Sequence, residues 1–346
     1  MSMSVRRKAL AALATGVSCA LTVRALRRPR PYELAGRTVL ITGGSRGLGL
    51  ALAREAAAQC ARVAICGRDP ASLERARAAL LRSGAAIAAF TCDVSDRAEV
   101  EQLIAAVQQR FGAIDMLINN AGVIEVGPAS VMSIDEFDEA MRTNFWGVLF
   151  PTLAVLPDMR ARRIGRIVNI TSIGGRISVP HLLPYCTSKF AAVGLSQGFG
   201  VELAAEGIRV TTVCPGLMMT GSPRNAIFMG KHRAEYAWFS IADSLPGLSV
   251  NARTAARRIL EAAKRGDPEL RFPLTTEAVV AVSVLAPRLT ASIFRVINRL
   301  LPGPGRRPSA RYRGAEAESW ISPSWLTRAG ERAALRYNQI DGREKV

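Results

Sequence analysis

The sequence predicts an α/β fold, with one parallel, doubly wound sheet of about seven strands and helices on both faces, in a single domain with helical extensions at its two ends. Three observations predict it. Between Arg37 and about Phe272, short β-branched runs alternate with longer Ala- and Leu-rich stretches, the pattern of repeated βαβ units. Apolar residues make up 49% of the 346, ample to bury a sheet on both faces. A glycine-rich stretch, Thr42 through Gly49, stands directly between the first strand pattern and the first helix pattern.

In order along the chain, strands are expected at Thr38–Thr42, Val63–Cys66, Ala86–Cys92, Met116–Asn119, Arg166–Ile170, Arg209–Val213 and, on the weakest pattern, Glu269–Phe272. Helices are expected at Leu48–Gln59, Ala71–Ser83, Ala98–Arg110, Ile134–Phe150, Ser188–Ala205 and Ala252–Arg265. Right-handed crossovers then stack these helices on both faces of the sheet. A central α/β domain is expected over 35–275, with an N-terminal segment at 1–34 and a C-terminal extension at 276–346. Inside the domain, 217–249 breaks the rhythm. It mixes Pro, Gly and polar residues with Met218, Met219, Ile227, Phe228, Met229, Tyr236, Trp238, Phe239 and Ile241, too many large apolar groups for a solvated linker. A lid over a binding site is the expectation; a helical flap filling a surface groove is the alternative.

The net charge of +18 raises nucleic acid as a partner, but the charge is unevenly spread. The first 31 residues carry Arg6, Arg7, Lys8, Arg24, Arg27, Arg28 and Arg30 with no acid. No zinc-finger spacing, RNP-type strand or basic and aromatic interleaving accompanies them, and nucleic-acid binding is not expected. Cys19, Cys60, Cys66, Cys92, Cys186 and Cys214 form no CxxC pair and read as small buried hydrophobes in a reducing compartment. His181 and His232 are too isolated for a metal site, and no metal is expected.

The stretch Thr42-Gly43-Gly44-Ser45-Arg46-Gly47-Leu48-Gly49 places glycines where a chain must turn tightly and approach a pyrophosphate, with a helix N-terminus facing the phosphates. At the end of the second strand, where an acid would bind the ribose hydroxyls of NAD, stands Gly67, followed by Arg68. Arg68 and Arg46 together suit a 2′-phosphate, which points to NADP(H). Asp69 reads as the cap of the next helix. Asp93-Val94 follows the third strand and Asn119-Asn120-Ala121-Gly122 ends the fourth. Ser172 follows the fifth, and Tyr185 and Lys189 stand four residues apart, on one face of a helix. With a reference pKa of about 10, a tyrosine needs a fixed cation nearby to exchange its proton near neutral pH, and Lys189 supplies one.

These motifs, in order and spacing from Arg37 to Phe272, resemble the short-chain dehydrogenase/reductase family, with its TGxxxGxG turn, NNAG string and Ser…YxxxK set. Leu48 stands where that family often has Ile. The resemblance implies a Rossmann-type fold and a cofactor site formed by Gly43, Ser45, Arg46, Gly47, Leu48, Gly49, Arg68, Asp93, Val94, Asn120, Ala121, Gly122, Tyr185, Lys189, Pro215, Gly216 and Thr220. Asp93 would meet the adenine edge, although a turn or helix cap is an equal use for it. Pro215, Gly216 and Thr220 would face the nicotinamide carboxamide. Tyr185 would be general acid in reduction and general base in oxidation, and Ser172 would bind the reacting oxygen. Lys189 would also hold the nicotinamide ribose, and Asn144 a water relaying protons to it.

Ala9–Val23 is an uncharged run of fifteen between basic flanks. As a helix it would extend about 22 Å, short of a hydrocarbon core of about 30 Å. A membrane anchor, a targeting presequence and an arm packed on the fold are all open. Near the other end Ala278–Ala286 is nearly all apolar, and Leu289, Ile293, Val296 or Ile297, and Leu300 recur at helical spacing, with Arg288, Arg295 and Arg299 on one face. Such a helix suits an anionic bilayer or a partner subunit. After Pro302-Gly303-Pro304-Gly305 the tail is basic and mixed, and the sequence suggests no function for it. The expectation is an NADP(H)-dependent oxidoreductase of an apolar carbonyl or alcohol, lipid-, retinoid- or steroid-like. It would be membrane-associated and face the cytoplasm, with organelle targeting or a soluble cytoplasmic enzyme as alternatives. The family resemblance implies a homodimer or homotetramer. A non-catalytic nucleotide-binding scaffold at a membrane is the other class of function.

Overall fold

Strands covered by helices on either side need apolar residues pointing both ways. β1 (Thr38–Thr42) is buried at every position and β2 (Arg62–Gly67) at its four central ones. This computed structural model describes residues 32–340 except Ser83, 246–247, 307–308, 320–321, 323 and 325–326. The chain divides into two compact units, Met1–Glu33 and Leu34–Val346. The apolar run Ala9–Val23 and its basic flanks lie outside the described residues, and the elements named below all belong to the second unit.

After β1 come α1 (Gly47–Ala58), β2, α2 (Pro70–Leu81), β3 (Ile87–Thr91), α3 (Arg97–Phe111), β4 (Met116–Asn119), β5 (Glu125–Val126), α4 (Ile134–Met141), α5 (Gly147–Arg162) and β6 (Gly165–Ile170). Then follow α6 (Leu183–Glu202), β7 (Ile208–Pro215), β8 (Leu217–Met219), β9 (Ile227–Phe228), α7 (His232–Ser244), β10 (Ser249–Asn251), α8 (Ala252–Arg265) and β11 (Glu269–Phe272). The chain continues with α9 (Leu274–Leu285), α10 (Pro287–Leu300), β12 (Tyr312–Arg313) and α11 (Arg328–Arg336).

Seven strands form one sheet in the order β11-β7-β6-β4-β1-β2-β3, with every neighbouring pair parallel. All seven expected strands are present, displaced by at most two residues at an end. β1 lies between β2 and β4, so the connections leaving β1 and β4 run to opposite faces. The crevice this leaves at their carboxyl ends is where such sheets bind ligands. The core on one face gathers Leu40, Val100, Val107, Leu117, Val155 and Met159. Asp69 caps α2, accepting from the amides of Ala71 at 3.2 Å and Ser72 at 3.1 Å, which is the role its position suggested.

Three expectations need correction. The single helix expected over Ile134–Phe150 is α4, a π-helical turn at Arg142–Trp146, and α5, which runs on through Pro151 and Pro157. Burial of Val148, Val155, Leu156 and Met159 carries the helix past both prolines. The helix expected from Ser188 begins five residues earlier, at Leu183, with a proline in its first turn. Cys60 is exposed rather than buried, in the turn leaving α1, while Cys66, Cys92, Cys186 and Cys214 are buried.

The segment 217–249 is largely structured. β8 pairs with β10 in parallel, and β9 bridges β5 and β12 in a three-stranded sheet. From α7, Tyr236 and Phe239 pack edge-on against Phe228 in a cluster with Val126, Leu182 and Cys186, against which Tyr185 and Trp238 rest. Further on, α10 buries none of its residues, and Val284, Leu285, Leu289, Val296 and Leu300 are exposed. Among the described residues no single helix is long and apolar enough to cross a membrane. Only α9 and α10 together reach that length, bent by 117°.

Candidate active site

The glycine turn is built against the β4 exit. Thr42 Oγ1 accepts from the amides of Asn120 at 2.9 Å and Ala121 at 3.1 Å, and Asn120 Nδ2 donates to the carbonyls of Thr42 and Gly43. Gly43 has φ +62°, and a Cβ there would fall 2.9 Å from the Ala121 Cα; one at Gly49 would fall 2.1 Å from the Gly43 carbonyl. The turn therefore requires glycine at both places, and it sits at the crevice between β1 and β4.

At the end of β2, Gly67 is followed by the exposed Arg68, whose guanidinium lies 3.9 Å from Asp93 Oδ2. The other Asp93 oxygen accepts from the amide and hydroxyl of Ser95, so Asp93 closes a turn as well as facing Arg68. Val94 packs its side chain into the core cluster, against Gly147. Arg46, exposed at the start of α1, donates to Asn225 Oδ1 at 2.8 Å. With Asp69 committed to its cap, the end of β2 carries Arg68 without a carboxylate of its own. Ser45 is buried beside Gly67, and Leu48 is buried in the first turn of α1. Past β7, the Gly216 amide donates to the Phe272 carbonyl at 2.8 Å. Thr220, also buried, accepts from the Ser222 amide and faces Gly47.

The crevice of this sheet also receives a contact that the sequence did not suggest. Gly47, the first residue of α1, donates its amide to the carbonyl of Tyr337 at 2.9 Å.

Ser172, at the end of β6, is buried, and its Oγ accepts from the Gly174 amide at 3.0 Å. Tyr185 and Lys189 lie one turn apart on α6. Lys189 Nζ stands 5.7 Å from the centre of the Tyr185 ring and donates to the carbonyl of Ile170 at 3.1 Å. Burial pushes the Tyr185 hydroxyl well above its ordinary range, and a hydrogen bond with Ser172 opposes the shift. Burial pushes the Lys189 ammonium down to about 8. The site thus holds a tyrosine that keeps its proton, beside a lysine whose charge is readily lost.

Asn144 sits in the π-helical turn, a distortion that often marks functional positions. Its Oδ1 accepts from the Val123 amide at 3.0 Å, and its Nδ2 donates to the Val123 carbonyl and to Ser188 Oγ at 3.0 Å. It therefore clamps the strand leaving Gly122 to the helix bearing Tyr185 and Lys189, and Oδ1 stands 2.9 Å from where a Gly122 Cβ would be. The sequence pointed to Asn144 for a proton relay. It did not point to this clamp, nor to Ser188, because both arise from contacts between distant segments.

The sequence also missed a buried brace within and beside 217–249. His181 Nδ1 lies 2.8 Å from Glu235 Oε1, and Trp238 Nε1 donates to the other oxygen at 2.6 Å, which ties α7 to the loop before Tyr185. Among the described residues, no group of three or more His, Cys, Asp and Glu side chains is placed to hold a metal ion.

Comparison with known proteins bears on this geometry. The family model described as short chain dehydrogenase matches residues 37–227. A putative ketoacyl reductase of the granaticin polyketide synthase from Streptomyces violaceoruber is 38% identical over 201 residues, 58% of this chain and 74% of that protein. The 17-beta-hydroxysteroid dehydrogenase 13 of Rattus norvegicus is 35% identical over 57% of this chain and 66% of its own length. Among solved structures, an actinorhodin polyketide ketoreductase with NADPH superposes with a TM-score of 0.61 at 33% identity, covering 68% of this chain and 95% of that one.

Proposed function

Because the chain belongs to the short-chain dehydrogenase/reductase family, it is an oxidoreductase that binds a nicotinamide cofactor, and we propose that it uses NADP(H) to interconvert an apolar carbonyl and its alcohol. The arrangement of Ser172, Tyr185 and Lys189 around one crevice carries this reading. The residues fit a dinucleotide. Glycines at 43 and 49 let the turn pack directly against Asn120 and Ala121, which gives the tight strand-to-helix turn that a pyrophosphate site requires. Arg68 and Arg46 would hold a 2′-phosphate, and Pro215, Gly216 and Thr220 would face the carboxamide. The similar ketoreductase solved with NADPH supports that choice.

When bound, the nicotinamide supplies or accepts hydride at the reacting carbon. Tyr185 gives its proton to the carbonyl oxygen in reduction and takes the proton from the alcohol in oxidation. Lys189 stabilises the tyrosinate that remains and holds the ribose, and Ser172 donates to the reacting oxygen as charge develops there. Tyr185 rests against an apolar cluster that includes Leu182, Tyr236 and Phe239, as do Ile124 and Val179, and this apolar surrounding supports a lipid-, retinoid- or steroid-like substrate and a lid role for 217–249. The exposed apolar faces of α9 and α10, with Arg288, Arg295 and Arg299, support a membrane surface as the setting. Exposed Leu153 on α5, and Phe190 and Val201 on α6, support self-association.

The test is reduction of a panel of apolar ketones by the wild type and Tyr185→Phe, with NADPH binding followed separately by nicotinamide fluorescence. Turnover is expected to fall at least about a hundredfold in the variant while NADPH still binds. Equal turnover in the two proteins would remove the catalytic reading.

A further inference from the structure

The strongest unassigned feature is the approach of the chain's C-terminal segment to the glycine turn. α11 packs on the lid, with Gly221 so close that a Cβ there would fall 2.4 Å from the Ala334 Cα, and Gly330 lies against Ser244 of α7. The helix ends at Tyr337, after which Asn338 takes φ +57° and the Gln339 amide returns to the Ala334 carbonyl at 2.9 Å. A left-handed residue followed by this return bond is a common helix ending, and it turns the Tyr337 carbonyl outward. That carbonyl accepts from the Gly47 amide at 2.9 Å. The negative end of α11 therefore meets the positive end of α1, the position at which a glycine turn holds an anionic phosphate.

The neighbouring residues secure the contact. Asn338 Nδ2 donates to the carbonyls of Ser45 at 2.9 Å and Ser72 at 3.0 Å, and its Oδ1 accepts from Arg75 Nε at 3.0 Å. Gln339 accepts from Asn225 Nδ2 at 2.6 Å, and its own amide nitrogen lies 2.7 Å from where a Gly47 Cβ would be. Arg54 donates to the Arg336 carbonyl at 3.0 Å. Ser45 and Gly47 are residues that the family resemblance gives to the cofactor.

We propose that the segment Tyr337–Ile340 is an internal competitor for the cofactor, a strap whose helix-terminal carbonyl takes the Gly47 amide in place of a phosphate oxygen. NADPH binds only when the strap leaves, so its apparent affinity is the intrinsic one scaled down by the fraction of molecules with the strap displaced. This inference rests on the cofactor reading of the glycine turn.

The test uses the full chain in two measurements. NADPH is titrated by nicotinamide fluorescence against the wild type and against the double variant Asn338→Gly with Gln339→Ala. Glycine keeps the left-handed backbone while removing the bonds to Ser45 and Ser72. The variant is expected to bind NADPH about five- to tenfold more tightly, because the side-chain hydrogen bonds that secure the strap are gone while its backbone contact to Gly47 and the bond from Arg54 remain. In the wild type alone, hydrogen exchange over Arg328–Ile340 is expected to accelerate when NADPH is added, whatever the variant does to folding. Equal binding by the variant would show that the strap does not compete, and weaker binding, or slower exchange of the strap with NADPH bound, would show that the tail completes the cofactor site; each would overturn the proposal. If NADPH binds neither protein, the cofactor reading itself fails, and the strap proposal falls with it.

Discussion

The ammonium of Lys189 stands 5.7 Å from the centre of the Tyr185 ring while donating to the Ile170 carbonyl at the end of β6. The bond to Ile170 anchors the charge one helical turn from Tyr185 and beside the strand that delivers Ser172. Burial acts on the two partners in opposite directions, keeping the tyrosine protonated and driving the lysine toward neutrality.

That opposition sets a pH dependence. Lys189 has its pKa lowered to about 8, so its charge is present below that pH and lost above it. Tyr185 is shifted upward and stays protonated across the same range. In the reducing direction kcat/KM is expected to hold near neutral pH and fall as pH rises through about 8. Lys189→Arg, whose charge persists, is expected to move the fall upward while lowering the maximum. A profile of kcat/KM from pH 6 to about 10 checks it, and a flat profile would separate activity from the Lys189 proton.

Asn144 holds Val123 with both ends of its amide and Ser188 with the nitrogen. Asn144→Ala leaves those buried groups without their partner and is expected to cost about 1–3 kcal/mol of stability. Because the clamp sets the spacing between Gly122 and the Tyr185 helix, kcat should fall more than the NADPH affinity. Thermal unfolding and steady-state kinetics on the same preparation read the two effects.

Arg68 is exposed and lies near Asp93. Arg68→Ala is expected to weaken NADPH binding about tenfold or more while changing NADH binding little, since only the former carries the 2′-phosphate. Parallel fluorescence titrations with the two nucleotides give the ratio. Equal losses for both would locate Arg68 elsewhere than at the phosphate.

The bent pair α9 and α10 exposes Leu285, Leu289 and Ile293 beside Arg288. Leu289→Asp combined with Ile293→Asp is expected to cut co-sedimentation with anionic vesicles at least about tenfold, because two apolar anchors become charged. Raised salt should weaken wild-type binding in part. An unchanged sedimented fraction would assign membrane contact to another part of the chain.

Much of the candidate site's geometry was legible because it is local. The spacing of Tyr185 and Lys189 is a property of one helix, and the glycines of 43–49 answer to one strand-to-helix turn. Asp69 likewise reads as a cap from its place just ahead of Pro70. Where the sequence fell short, the deciding contacts were distant in the chain. The π-helical turn at Arg142–Trp146 has no composition signal, and the structure places it where Asn144 reaches Val123 and Ser188. The segment 217–249 looked irregular because its strands β8 and β9 are two or three residues long and pair with segments on either side of it.

By itself the sequence determined the parallel sheet, its strand boundaries to within a residue or two, the glycine turn and the spacing of Tyr185 and Lys189, because periodicity, capping and turn chemistry act over a few residues. Only the tertiary structure decided the fate of the tail. Nothing in Tyr337-Asn338-Gln339 announces a partner nearly three hundred residues away. The contact depends on a helix packed against Gly221 delivering its terminal carbonyl to the N-terminus of α1, and that is a matter of where two helix ends meet in space.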